Sequence, residues 1–119
     1  MDRTWKAFER RVAERTGGER IPVADRRSHL DVLHPVLGIE CKYRRKISKF
    51  LKDALDQATE GSKEESLFPV VVLGEKYSTK MYAFMDLQDL LRVLAVVAVY
   101  TENPPTILVG EGEDDHAKN

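Results

Sequence analysis

Apolar residues recur at helical spacing in three stretches of the chain and alternate with polar ones in several shorter pieces. Trp5, Phe8, Val12 and Ala13 form the first stripe, with Thr4 in capping position ahead of it and Gly17-Gly18 behind, which predicts a helix ending at about Thr16. Glu9 falls at the edge of that stripe. Ile47, Phe50, Leu51, Ala54, Leu55 and Ala58 make a second amphipathic helix, with Gly61 as its stop. Asp86 caps a third that carries Leu87, Leu90, Leu91 and Leu94, and residues 93–100 read either as its end or as a separate strand. Strands are predicted over 21–24, 29–34, 37–43, 68–73 and 80–85, with a loop at 25–28, Pro35 closing the second strand and 68–73 the most buried-looking. A last strand-like piece covers 106–109.

This order predicts an α/β fold, a central mixed β-sheet flanked by helices, in one domain over 1–109. The crossover helix would make the third and fourth strands parallel. Residues 110–119 are acidic and read as a disordered tail. At 119 residues and 42% hydrophobic content the chain suits one core. The single Cys41 excludes an internal disulfide and a cysteine-rich zinc site. No apolar span approaches the ~20 residues of a membrane helix, so no membrane partner is expected. The N-terminus also lacks the apolar core of a secretory signal, so the expected compartment is the cytoplasm.

Charge is unevenly spread. The formal net charge is -1, yet residues 1–52 hold 14 Lys+Arg against 7 Asp+Glu, and residues 53–119 hold 5 against 13. The first half, at +7, is a candidate footprint for a polyanion, and the second, at -8, favours solubility. Lys42, Arg44, Arg45, Lys46, Lys49 and Lys52 form a basic run without an acid. A charge run is usually a solvated face, but this one adjoins the most suggestive chemistry in the chain.

That chemistry is Asp31 followed by Gly38-Ile39-Glu40-Cys41-Lys42. Along a strand, Glu40 and Lys42 share one face and Cys41 takes the other. Asp31 joins the pair if its segment lies alongside. An acid-x-lysine pair alone is often a surface salt bridge, but Glu40 interrupts the apolar run 36–41, where a charge is costly unless paired or metal-bound. Two carboxylates suit Mg2+, with Mn2+ as a substitute, and the Cys41 backbone carbonyl is a candidate third ligand. Lys42 would hold a water or a developing oxyanion. His29 and His34 lack companions at ligand spacing, and Cys41 lacks a base, so it reads as a small buried thiol. Trp5, Phe8 and Phe50 read as core or interface.

Taken together, residues 4–12, Arg27-Ser28-His29-Leu30-Asp31 and Ile39-Glu40-Cys41-Lys42 resemble the PD-(D/E)XK restriction-endonuclease-like superfamily, and within it archaeal-type Holliday junction resolvases and their phage-encoded relatives. The resemblance covers roughly the first 75 residues and its motifs are short. It implies a restriction-endonuclease-like core and a catalytic set of Glu9, Asp31, Glu40 and Lys42, with Glu9, Asp31, Glu40 and the Cys41 carbonyl as metal ligands. It also implies a Ser-His pair upstream of the Asp, here Ser28 and His29, and a supporting Gln, here Gln57. Candidate DNA contacts are Arg10, Arg27, Ser28, His29, Tyr43, Arg44, Arg45, Lys46 and Lys49. The chain departs from the pattern at Leu30, where the eponymous proline is missing, and at Cys41, where an apolar residue is usual.

The implied activity is Mg2+-dependent endonucleolytic cleavage of branched DNA, by a homodimer whose two-fold axis matches that of a four-way junction. The setting would be a host cytoplasm if the chain is phage-encoded. The alternatives are a fork, flap or duplex nuclease of the same superfamily, or a non-catalytic DNA-binding protein of the same fold.

Overall fold

The computed structural model describes residues 4–22 and 30–100. The chain divides into two compact units, Met1–Lys52 and Asp53–Asn119. The described elements run α1 (Trp5–Thr16), β1 (Glu19–Arg20), β2 (Val32–Leu33), β3 (Gly38–Ile39), α2 (Lys49–Ser62), β4 (Val71–Gly74), β5 (Met81–Phe84) and α3 (Leu87–Val99). The class is mixed α/β. The expected single mixed sheet is not formed by the described residues; there are two antiparallel sheets, β1-β2-β3 and β4-β5. The parallel pairing of the third and fourth strands gives way to a hairpin, because β4 finds its partner in the adjacent β5 across a short connection. Residues 106–109 and the acidic tail lie outside the described residues.

In the first unit, α1 begins and ends as its local signals dictate. The Thr4 side chain accepts the Ala7 N–H at 3.1 Å, and Gly17 at φ +74° closes the helix in the left-handed region. Thr16 donates its hydroxyl proton to the Val12 carbonyl at 2.8 Å and accepts the Gly18 N–H at 3.2 Å, which ties the last turn to the following strand. The packed face is rotated from the expected stripe. Ala7, Glu9, Val12 and Thr16 are buried, and Trp5, expected in the core or an interface, is half-exposed.

Strand β1 begins earlier than the expected 21–24, at Glu19–Arg20, where it faces Leu33 and Val32; β2 in turn faces β3, with Val32 opposite Ile39. The ladder continues through the Ile21 N–H to the Asp31 carbonyl and the Asp31 N–H to the Ile39 carbonyl, both 2.9 Å. Val32, fully buried at the centre of this sheet, joins Ala7 and Val12 as the unit's apolar core. The hairpin turn is held by the His34 N–H to the Leu37 carbonyl at 3.0 Å and by the Val36 N–H, which His34 Nδ1 accepts at 3.1 Å. His34 is thus a turn residue.

Helix α2 runs through Gly61, its expected stop. Ser62 continues the helix and donates to the Ala58 carbonyl at 2.7 Å, and the left-handed turn comes at Ser66, φ +54°. In the second unit, Asp86 Oδ1 accepts the Asp89 N–H at 3.1 Å and caps α3, and residues 93–99 belong to that helix. No described side chain from 53 to 100 is fully buried. Strand β4, expected to be the most buried, alternates between half-buried and exposed. Phe50, expected in the core or an interface, is exposed on α2.

Gly18, between α1 and β1, lies tight against β2: a Cβ there would lie 2.5 Å from the Leu33 carbonyl oxygen and 2.8 Å from a Val32 methyl. Backbone cannot yield as a flexible side chain does. Gly18→Ala should therefore destabilise the protein by about 1–3 kcal/mol in urea titration, whereas Gly61→Ala, which meets no atom within 4 Å, should be neutral or stabilising.

Candidate active site

Asp31 is fastened on three sides. Its carbonyl and N–H belong to the ladders on either side, and its Oδ2 accepts the Cys41 N–H at 2.7 Å. The β2–β3 ladder stops at Ile39, short of the expected strand over 37–43, yet exposure still alternates from Gly38 to Lys42, exposed, half-buried, exposed, half-buried, exposed. The carboxylate of Asp31 replaces the missing ladder bond and keeps the chain extended. Glu40 and Lys42 consequently share a face, as the two-residue period requires, with Lys42 Nζ 3.3 Å from Glu40 Oε2. Their side chains are 52% and 69% exposed, so the pair is worth at most ~1 kcal/mol and Lys42 can leave it for an anion.

Glu9 arrives from α1. Only 5% exposed, it takes a core position because Arg20 Nε on β1 donates to its Oε1 at 3.0 Å. Sequence reasoning missed Arg20. Its signal was its place beside the predicted first strand, but the eleven-residue separation hid the pairing. A buried pair of this kind is costly to break, because the remaining charge stays out of water.

Asp31, Glu40, Cys41 and Lys42 line one open cleft of about 470 Å3 together with Glu9. Trp5, Phe8, Tyr43 and Arg44 complete its wall. Burial pushes the Cys41 thiol up to about 11, and the carboxylates of Asp31, Glu9 and Glu40, in that order, add to the effect. The half-buried thiol is therefore a poor nucleophile at neutral pH. Among the described residues, no three His, Cys, Asp or Glu side chains stand close enough to form a ready-made metal cage. The donor set still fits Mg2+, which needs only one or two carboxylates and keeps several waters. Asp31 and Glu40 would provide those two; Glu9 accepts from Arg20 through Oε1, and it is the N–H of Cys41, not its carbonyl, that is bonded to Asp31.

Beside the carboxylates, the Phe8 and Tyr43 rings stack at 4.8 Å and 17°, with the Arg11 guanidinium 5.7 Å from each centroid. Tyr43 is thereby brought to the cleft. Arg44, Arg45 and Lys46 are exposed along the segment that leads into α2, Lys49 is exposed at its first residue, and Arg10 is exposed on α1. Arg27, Ser28 and His29 lie outside the described residues. Gln57 is exposed on α2 and belongs to the second unit.

No protein-family model, curated protein or solved structure significantly matches the chain. Among the described residues, no helix is long and apolar enough to cross a membrane.

Because Cys41 is the single cysteine, its alkylation reports on the charge in the cleft. Iodoacetamide should modify the native thiol more slowly than a free thiol at about pH 8 to 10. Asp31→Asn should speed the reaction, since removing a negative charge favours thiolate; equal rates in wild type, Asp31→Asn and Glu40→Gln would mean that the carboxylates do not surround it.

Proposed function

We propose that the protein is a Mg2+-dependent, structure-selective DNA endonuclease of the Holliday junction resolvase type. The observation that carries this reading is the Cys41 N–H bond to Asp31, which gathers two carboxylates and a lysine at one cleft. Asp31 and Glu40 would hold Mg2+, or Mn2+ in its place. When bound, that ion supplies Lewis acidity toward a phosphodiester and a water of lowered pKa. Asp31 presents a fixed oxygen, since its other one is bound to Cys41. Glu40 presents an exposed one. Lys42, released from Glu40, donates to a phosphate oxygen or to the charge that develops on it. Glu9 and Arg20 brace the floor from α1 and β1.

The basic segment from Lys42 to Lys49 would track the DNA backbone, positioning the substrate without reading its sequence. A homodimer would present two such clefts to a two-fold symmetric junction. Exposed apolar residues of the second unit, among them Val72, Met81 and Tyr82 on β4–β5 and Val97 and Val99 on α3, supply surface for a second copy. Action on DNA in the cytoplasm, of the host if the chain is phage-encoded, accords with this reading.

The test is a nicking assay on a labelled four-way junction, a fork, a duplex and a single strand, with Mg2+ or EDTA. Paired symmetric nicks confined to the junction should appear with Mg2+ and vanish in Asp31→Asn and Glu40→Gln, and Lys42→Ala should lower the rate about 10²–10³-fold. Cutting of the other substrates would indicate a different nuclease, and unchanged activity in both carboxylate variants would end the enzymatic reading. Replacing Arg44, Arg45 and Lys46 by Ala should weaken binding to all junction sequences alike. It should also reduce the slope of log K against log salt by up to about 3, roughly one per lost phosphate contact; an unchanged slope would place the DNA elsewhere.

A further inference from the structure

The aromatic wall of the cleft is not used by the chemistry above. Trp5 is 50% exposed and Tyr43 47%, although both line a cleft whose other residues include three carboxylates. Tyr43 lies on Phe8 in a parallel stack, and Arg11 stands beside the pair, 5.7 Å from each centroid. Lys6 Nζ stands 5.5 Å from the centroid of the Trp5 ring. A wall meant to receive an apolar protein partner would not share its cleft with Asp31, Glu40 and Lys42, nor carry cations on its rings. Flat π-faces flanked by Lys6, Arg11 and Arg44 instead complement a ligand that is itself flat and anionic.

We propose that Trp5 and Tyr43 form a stacking platform for an unpaired nucleobase beside the Asp31–Glu40 site. The proposal rests on the nuclease reading and deepens it, because it names the feature bound beside the site: a nucleotide out of its stack, as at a branch point, whose base face a single strand also offers for binding though not for paired cutting. In intact duplex the base faces are covered by their neighbours and cannot reach a protein ring. A cleft of about 470 Å3 is of the size that holds a small organic group. The Tyr43–Phe8 stack would be extended by one further ring, and stacking of this kind tolerates any base because every base has a π-face.

Trp5 is the only tryptophan of the chain, so its emission reports the event directly. The full-length protein, in EDTA so that nothing is cut, is titrated with a short single-stranded oligonucleotide and with an abasic strand of the same length. The base-bearing strand should quench Trp5 and bind about 5- to 150-fold more tightly, the range spanned by loss of one base–aromatic stack. Trp5→Ala and Tyr43→Ala should erode that preference, while Trp5→Phe and Tyr43→Phe keep most of it. The two-ligand comparison on wild type stands even where an alanine variant fails to fold. Equal affinity for the two strands, or no quenching by either, overturns the platform. Mg2+-dependent nicking lost in Asp31→Asn but with no base preference removes the platform alone; a base preference in a protein that nicks nothing keeps the platform and removes the nuclease reading.

Discussion

The first unit depends on one short bond, from the Cys41 N–H to the Asp31 carboxylate. The β2–β3 ladder has only two paired positions on each strand and ends at Ile39. Beyond it, the chain would be free to turn away, and Glu40 and Lys42 would have no defined direction. A carboxylate that accepts a backbone N–H makes a charge-assisted bond, stronger than the neutral ladder bond it replaces. Asp31 can serve as that anchor because its own backbone is held on both sides by Ile21 and Ile39.

Charge in this cleft is balanced in two different ways. Glu9 is buried and paired with a single guanidinium, an arrangement that tolerates little change, whereas Glu40 and Lys42 meet in water and are loosely held. Cys41 lies among these carboxylates, and its burial, with their charge added to it, makes it give up its proton reluctantly. The rigid pair shapes the floor; the loose one is free to respond to an arriving anion.

The helices were legible because their signals are local. Thr4, Gly17 and Asp86 each act within four residues of their own position, and each behaves as the sequence suggests. The strands were less so. Pairing partners decide where a strand begins and ends, and the step from 21–24 to Glu19–Arg20 reflects the register that Val32 and Leu33 impose on β1. The union of β4 with β5 likewise depends on a choice between two possible neighbours that no local pattern records. Asp31, Glu40 and Lys42 could be placed together from alternation alone. The burial of Glu9 could not, since it needs Arg20 from a different element, and the exposure of Trp5 follows from a rotation of α1 that a broad apolar stripe leaves undetermined.

Asp31 carries two obligations at once, one to the backbone of Cys41 and one to the cleft, and Glu40 carries only the second. This divides the histories open to the two positions. If the proposed nuclease chemistry were lost, a descendant would still be held to Asp or Asn at position 31, since a side-chain oxygen is needed there to keep the third strand in line. Position 40 would be released to drift. An acid surviving at 31 in some diverged copy would thus testify to ancestry and architecture, and only the residue at 40 would bear on whether the proposed chemistry had been kept.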